Sequence, residues 1–395
     1  MEEYFSSDFA KGFRMSTRDL NVNKIIARQQ AYYAIDAREF DWSQSSYCEM
    51  FPDLRALLDL QLPKYNKYAI CNLRGGIGKS TLTFNLTYDA DNILAIDTCA
   101  QGNSTSFFGG GRKVDGENIY DALIPWVIPG APWPSNHVKK VDESNEYFQG
   151  RNAFYIPSSQ NLYEFPSTLE QALNTSMGLP EGLRQRTIER TLTSLHSEID
   201  KAMRPRNLDK CLIDTSPFFS GATHLAWHAA PALIVPVRTD QQSVDSLELV
   251  LQMLNNNERH FQRWRNIARL EQPKIQLVVV THCGWSTAPG ANYEPNRQTI
   301  VYLKRVKELV QRYIHHFTTD DPDNHIAPLD DFLGSGRISS AQAIPIRALQ
   351  AGQRFTISGQ PVEVNASIDK CKRQLSFIST NIWESVVQDA QMPIR

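Results

Sequence analysis

The 395-residue sequence has six cysteines (Cys48, Cys71, Cys99, Cys211, Cys283 and Cys371), but they are scattered, with no C-x-x-C pair and no Cys/His cluster at metal-ligand spacing. That absence excludes a disulfide scaffold, a zinc ribbon and an iron–sulfur site, and it fits a reduced cytosolic chain. The nine histidines show no H-x-H or H-E-x-x-H spacing, so no transition metal is expected. Long apolar runs are missing too. The most apolar stretch, residues 229–237, is far short of the ~20 residues that span a bilayer. The opening MEEYFSSDFAKGF is acidic and has no apolar core of a secretion signal. With a net charge of −2, the whole molecule has no electrostatic pull toward nucleic acid or acidic lipid, so any such binding needs a local patch. A soluble, cytoplasmic protein is expected.

What is present is a core-forming composition, 41 % hydrophobic and 21 % charged, in a chain long enough to bury it. From residue 67 onward, short β-rich runs alternate with helical patterns, the mark of a parallel sheet covered by helices. Strands are expected at residues 68–73, 93–97, 153–156, 210–214, 232–237 and 275–281, several of them continuous apolar runs suited to central positions. Helical spacing recurs over 183–199, ending near Pro205, and over 243–254, 299–313 and 368–387. Residues 109–116, 124–134 and 283–297, rich in Gly, Pro, Ser or Asn, read as insertions or loops. Residues 1–65 show helical patterns at 25–33 and 54–60 without a sheet signal. The expected organisation is a helical N-terminal extension (1–65) followed by an α/β domain (66–395), a mostly parallel twisted sheet flanked by helices.

The chemistry concentrates where the first strand meets its helix. Arg74-Gly75-Gly76-Ile77-Gly78-Lys79-Ser80-Thr81 has the strand–loop–helix setting that a phosphate-binding P-loop requires. The glycines let successive N–H groups converge on phosphate oxygens, and the helix adds its positive N-terminal end. Lys79 is expected to reach the β- and γ-phosphates, and the Ser80 hydroxyl to ligate Mg²⁺. Asp97 and Asp214 end apolar strands, a position from which a carboxylate can hold a magnesium-bound water beside the phosphates.

The loop resembles the deviant Walker A motif, K-G-G-x-G-K-[ST]-[ST], of the ParA/MinD group of P-loop NTPases. Further segments resemble that group in the same order. Asp97-Thr98-Cys99-Ala100-Gln101-Gly102-Asn103-Ser104-Thr105 is similar to its D-x-D-P-Q-G-N-x-T stretch. NIYDAL (118–123) and AFYIPSSQNL (153–162) resemble two more landmarks. Cys211-Leu212-Ile213-Asp214-Thr215-Ser216-Pro217 looks like Walker B, and ALIVPVRTDQQSVDSL (232–247) resembles the later strand and helix of partition ATPases. The resemblance runs from about residue 67 to the end. It implies ATP and Mg²⁺ as cofactors, with Gly75, Gly76, Ile77, Gly78, Lys79, Ser80, Thr81, Gln101 and Asn103 at the nucleotide and Ser80, Asp97 and Asp214 at the metal. It also implies an ATP-dependent homodimer, non-specific DNA binding and a ParB-like or cargo adaptor partner. The end of the sequence, QDAQMPIR, lacks the basic amphipathic anchor of a MinD-like membrane role.

Two positions depart from the pattern. Arg74 stands where the group has a signature lysine that reaches across the dimer; a guanidinium can still contact phosphate in trans, though it is bulkier. Cys99 replaces the second aspartate of D-x-D, which the resemblance assigns to positioning the attacking water. A thiol is a poor acceptor, so hydrolysis is expected to be slow or conditional unless Asp97 or Gln101 orients the water. A redox role for Cys99 lacks a resolving cysteine nearby. Lys79, Arg74, Asp97 and Cys99 are therefore the candidate catalytic positions.

Residues 259–269 (RHFQRWRNIAR) interleave Arg259, Arg263, Arg265 and Arg269 with Phe261 and Trp264. They are candidate phosphate contacts for DNA, set against a plainer reading as a solvated helix face whose aromatics enter the core. The leading function is a ParA-type ATP switch in DNA partition or cargo positioning. The alternative is a non-hydrolysing ATP-bound scaffold or transcriptional regulator. A metabolic member of the same P-loop class is disfavoured by the Gln101-Gly102-Asn103 match. Residues 1–65 show no helix–Gly turn–helix signature of a DNA-reading extension.

Overall fold

The computed structural model describes residues 20–35, 43, 45–219, 221–286 and 294–383. Apolar and β-branched runs form β1 (Lys67–Ile70), β2 (Ile93–Asp97), β3 (Lys139–Lys140), β4 (Ala153–Ile156), β5 (Lys210–Asp214), β6 (Ala232–Arg238), β7 (Lys274–Cys283) and β8 (Ile326–Asp330). These make one eight-stranded sheet in the order β3-β4-β2-β5-β1-β6-β7-β8. All neighbours run parallel except the short β3, which is antiparallel to β4.

Period-two alternation sends successive side chains to opposite faces, and both faces are dry. Ala69, Leu94, Ile96, Ile213, Val235 and Val280 enter one core, while Tyr68, Ile70, Ala95, Leu212, Ile234 and Val279 enter the other. Before the sheet come α1 (Asn23–Ile35) and α2 (Leu54–Leu58). After β1 and β2 come α3 (Lys79–Tyr88) and α4 (Asn103–Phe108), then α5 (Ile119–Val127). Between β4 and β5 lie α6 (Phe165–Ser176), α7 (Glu181–Leu192) and α8 (Ser194–Met203). Then follow α9 (Ala222–Ala229), α10 (Gln241–Asn255), α11 (His260–Ala268) and α12 (Arg297–Arg312). Last are α13 (Leu333–Gln342), the hairpin β9 (Arg354–Ile357) and β10 (Gln360–Glu363), and α14 (Ile368–Trp383). Helices α5 to α12 cover the first face; α3, α4, α13 and α14 cover the second.

The expected strands and helices recur with shifted ends, and three differences have physical causes. The run 183–199 is two helices, because Thr193 leaves helical geometry and its hydroxyl bonds back to the Glu189 carbonyl (2.8 Å). Residues 124–127 are helical rather than loop: Pro125 sits inside α5, whose start is fixed by an Asn118/Asp121 capping box. Strand β8 was not among the expected strands; its Pro328 has no N–H to donate, and the strand lies at the sheet edge, where a missing N–H is tolerated. Residues 1–19, 287–293 of the expected loop, and 384–387 of the expected last helix lie outside the described residues. Among the described residues no helix is long and apolar enough to cross a membrane.

Helix α1 is built into this body. Val22, Ile25 and Ile26 join the first core, and Ala27 and Ala31 pack on Leu57 and Leu58. Arg28 is buried, and its fork donates to the Leu57 carbonyl (2.9 Å), the Asp323 carbonyl (2.7 Å) and Asn324 Oδ1 (3.0 Å). Burial pushes its pKa down to about 10, with Asp323 and Asp321 opposing. Lys24 adds an ion pair to Asp321 (2.6 Å). Arg28→Met keeps roughly the same volume but removes the donors to the Leu57 and Asp323 carbonyls, leaving Asn324 Oδ1 to Lys24 alone (3.2 Å), so stability is expected to fall by roughly 2–4 kcal/mol. Urea unfolding checks this, and a loss under about 0.5 kcal/mol would show that α1 is held by its apolar face alone.

Candidate functional site

The site forms where the central strands end. In open parallel sheets the loops beyond the strand C-termini are free to hold a ligand, and β1 leads straight into residues 71–78 and α3. Gly76 and Gly78 take positive φ (71° and 93°), which a side chain would strain. A Cβ built on Gly75, Gly76 or Gly78 meets nothing within 4 Å, so the loop rims open space. Gly78 caps α3 without a side-chain bond, leaving first-turn N–H groups to face that space.

Lys79 is nearly buried; its ammonium donates to the Arg74 carbonyl (2.7 Å) and the Asn72 carbonyl (3.2 Å). Burial pushes its pKa down, opposed most by the charge of Asp214. The β2–β5 register sets Asp97 beside Asp214, and both are fully buried. Burial raises the pKa of each, and for Asp97 the neighbouring Asp214 adds to the rise. Asp97 uses both oxygens: Oδ1 accepts from Cys99 N (3.0 Å), and Oδ2 accepts from Thr105 N (2.7 Å) and Thr105 Oγ1 (2.8 Å). Asp214 Oδ2 accepts from Ser104 Oγ (2.6 Å), while Oδ1 has no hydrogen-bond partner. Ser80 and Lys79 both lower the Asp214 pKa against its burial, which places them beside it.

A buried orphan carboxylate oxygen next to a second carboxylate is relieved by a divalent cation, and the open glycine rim with free N–H groups suits phosphate oxygens. The residues present fit Mg²⁺ at Ser80 and Asp214 and a nucleotide phosphate chain at 75–81.

Cys99 is buried, and burial with the charge of Asp97 pushes its thiol up to about 11. It is a neutral thiol at physiological pH, which argues against a reactive thiolate. Its carbonyl accepts from Ser158 Oγ (2.5 Å). Gln101 and Asn103 start the α4 turn with exposed side chains. Arg74 reaches within its own chain: it pairs with Asp240 and donates to Ser243 Oγ (2.7 Å). Asp240 is the N-cap of α10, accepting from Ser243 N (3.0 Å). Although burial opposes it, the Ser243 N–H and Arg74 hold the Asp240 carboxyl below its usual range.

Asp240, Ser243, Ser104, Thr105 and Ser158 were not among the expected site residues. The D-x-x-S spacing of 240–243 carries an N-cap signal that marks the first two; nothing local marks Ser104 or Ser158 as carboxylate or carbonyl partners.

The four arginines are not brought to this site. Helix α10 starts at Arg74's partner and runs 15 residues, or about 22 Å, before α11 begins. In α11 Phe261 and Trp264 are fully buried, as the plainer reading has it. Arg259, Arg263 and Arg269 are exposed, with Arg263 over the Trp264 ring (4.9 Å); Arg265 is half-buried and donates to Asn266. Helix α11 packs beside α7, whose Arg186 and Arg190 are also exposed.

The chain is similar to proteins already described. The sporulation initiation inhibitor protein Soj of Bacillus subtilis is 25 % identical over 197 residues, which are 49 % of this chain and 66 % of Soj, just under two thirds of its length. The ATP complex of an aspartate-to-alanine variant of McdA from Cyanothece has a TM-score of 0.54 at 17 % identity, covering 81 % of this chain and 97 % of that one. That likeness speaks to the fold alone. A plasmid partition protein from Borrelia burgdorferi bound to AMPPNP superposes less closely, with a TM-score of 0.43 at 18 % identity over 81 % of this chain and 100 % of that one. The AAA domain family matches residues 66–266, half of the chain. On that match, and with the P-loop and sheet that carry it, the chain belongs to the AAA domain family as a ParA/MinD-type P-loop ATPase.

Proposed function

We propose that the protein is an ATP-dependent dimerising switch of the ParA type, acting in DNA partition or cargo positioning, with slow or partner-dependent hydrolysis. The observation that carries this reading is the convergence of the glycine rim, Lys79, Ser80 and the orphan Asp214 oxygen at the C-terminal ends of the central strands. The McdA relative, solved with ATP, supports the nucleotide assignment. Lys79 would meet the phosphate oxygens, Ser80 and Asp214 would hold Mg²⁺, and Asp97 keeps the segment after β2 in place. When bound, Mg²⁺ neutralises phosphate charge.

Arg74 gives the switch its two positions. Held by Asp240 and Ser243 it serves its own subunit; released, it can contact the phosphates of a second copy. The pair is part-exposed, so its worth is only about 1 kcal/mol. Asp240→Asn keeps the N-cap acceptor but removes the charge. A dimer releases two such pairs, about 2 kcal/mol together, so ATP-dependent dimerisation of that variant is expected at about thirtyfold lower protein concentration than wild type, whereas Arg74→Ala loses the ATP-dependent dimer. Analytical ultracentrifugation with and without ATP decides it; if both variants dimerise like wild type, Arg74 has no trans role.

The neutral, buried Cys99 thiol also favours the second reading, an ATP-bound scaffold that does not turn over alone. Wild type is expected to dimerise on ATP with very little phosphate release, and Cys99→Asp to raise turnover tenfold or more. Family-like turnover in wild type with no gain in the variant would discard the slow-hydrolysis element and leave the ordinary cycle.

Non-specific DNA binding is assigned to the exposed arginines of α11 beside α7. Arg263→Ala with Arg269→Ala should weaken binding of any duplex alike and cut the log–log salt slope by about 2. An unchanged slope would move the contact elsewhere.

A further inference from the structure

Next to the nucleotide cradle, a solvent-open cavity of about 310 Å³ lies between the segment after β2, the loop after α4 and the segment after β4. Its wall includes Gln101, Thr105, Arg112, Lys113, Ser158 and Gln160, and no carboxylate lines it. Hydroxyls and carboxamides can donate, and among the described residues the charges in the lining are cationic, so it favours an anion.

The two cations are presented by a folded loop. Gly111 N donates to the Ser106 carbonyl (2.8 Å) and Arg112 N to the Gly109 carbonyl (3.2 Å). Gly110 takes φ +65°, and a Cβ there would lie 2.5 Å from the Ser144 carbonyl oxygen. Arg112 has no side-chain partner among the described residues. Lys113 pairs with Asp115 (3.0 Å), but both are largely exposed, and a competing anion can displace such a pair.

Two wall residues are wired to the nucleotide site. Thr105 Oγ1 donates to Asp97 Oδ2 (2.8 Å) and accepts from Ser158 N (2.7 Å), while Ser158 Oγ donates to the Cys99 carbonyl (2.5 Å). A ligand that engages either hydroxyl therefore competes with bonds that hold the Asp97–Cys99 segment.

We propose that this cavity binds an acidic segment of a partner polypeptide through one or two Asp or Glu side chains. The occupant acts on the Asp97–Cys99 segment through Thr105 and Ser158. The volume admits side chains, and a concave wall with cations at its rim suits an inserted carboxylate better than the convex backbone of a duplex. The binding step stands alone; the coupling rests on the proposed nucleotide site.

The test uses the full chain with fluorescein-labelled hexaglutamate as the probe, read by anisotropy, with inorganic phosphate and a duplex DNA as competitors. Saturable peptide binding is expected, weakened at least tenfold in Arg112→Glu/Lys113→Glu and to a lesser degree in Arg112→Ala/Lys113→Ala. Both variants should keep the wild-type melting midpoint and an affinity for a fluorescent ATP analogue within twofold. Saturating peptide should change the dissociation rate of that analogue at least threefold in wild type, and Ser158→Ala should bind peptide yet lose the change. Unchanged peptide affinity after charge reversal overturns the site. Phosphate or DNA binding that is lost on reversal, with no peptide binding, overturns the occupant. Peptide binding with an unaltered analogue rate overturns the coupling. A wild type that binds peptide but no ATP analogue defeats the proposed function and leaves the peptide site standing.

Discussion

Asp97 and Asp214 stand side by side on adjacent parallel strands, both out of contact with water. At a strand spacing of ~5 Å and an effective dielectric of ~20, two ionised carboxylates repel by roughly 3 kcal/mol. Hydrogen bonds to a charged acceptor contribute ~1.5–3 kcal/mol each, and the three bonds on Asp97 oppose burial and the Asp214 charge, which still push its pKa up to about 7. Asp214 Oδ2 accepts from Ser104, and its Oδ1 has no partner in hydrogen-bond geometry among the described residues. The imbalance leaves an unmet demand for positive charge at one defined atom. The short helix α4 exists to serve both acids: Ser104 faces one and Thr105 the other, so the two carboxylates cannot move independently.

The same logic of limited partners governs the cations. Among the described residues Lys79 has no carboxylate in ion-pair contact and rests on backbone carbonyls, which makes it easy to recruit. Arg74 has a carboxylate and a hydroxyl, so its recruitment must overcome a specific competitor. Both contacts come from one guanidinium nitrogen, Nη1, which leaves the rest of the fork unused by this pair. The arginine is therefore tied to its own chain by two groups at once.

The central strands and the P-loop were legible in the sequence because buried parallel strands are apolar without interruption and glycines before a helix have few other uses. Asp97 and Asp214 were legible as strand-end acids, but their adjacency was not, since it depends on β5 lying between β1 and β2 in the sheet. Arg74 was legible as an odd residue in a known pattern; its tie to Asp240 spans 166 positions, and no local rule reaches that far. Edge strand β8 was hidden by Pro328, and the α7–α8 break by a hydrophobic stripe that continues through Thr193. Residues 259–269 showed their charge and aromatics equally, and only burial of Phe261 and Trp264 separated the two sides.

Arg28 has a consequence in time as well as in space. Its bond to the Asp323 carbonyl closes across 295 positions. At a synthesis rate of 5–20 residues per second, the ribosome needs roughly 15–60 s to supply that acceptor. Through that interval the guanidinium and the apolar side of α1 have no seat in the sheet, whose strand β8 is still to come. Helix α1, which carries Lys24 and Arg28 and no acidic residue, therefore reaches its full set of partners only after residue 323 has been made.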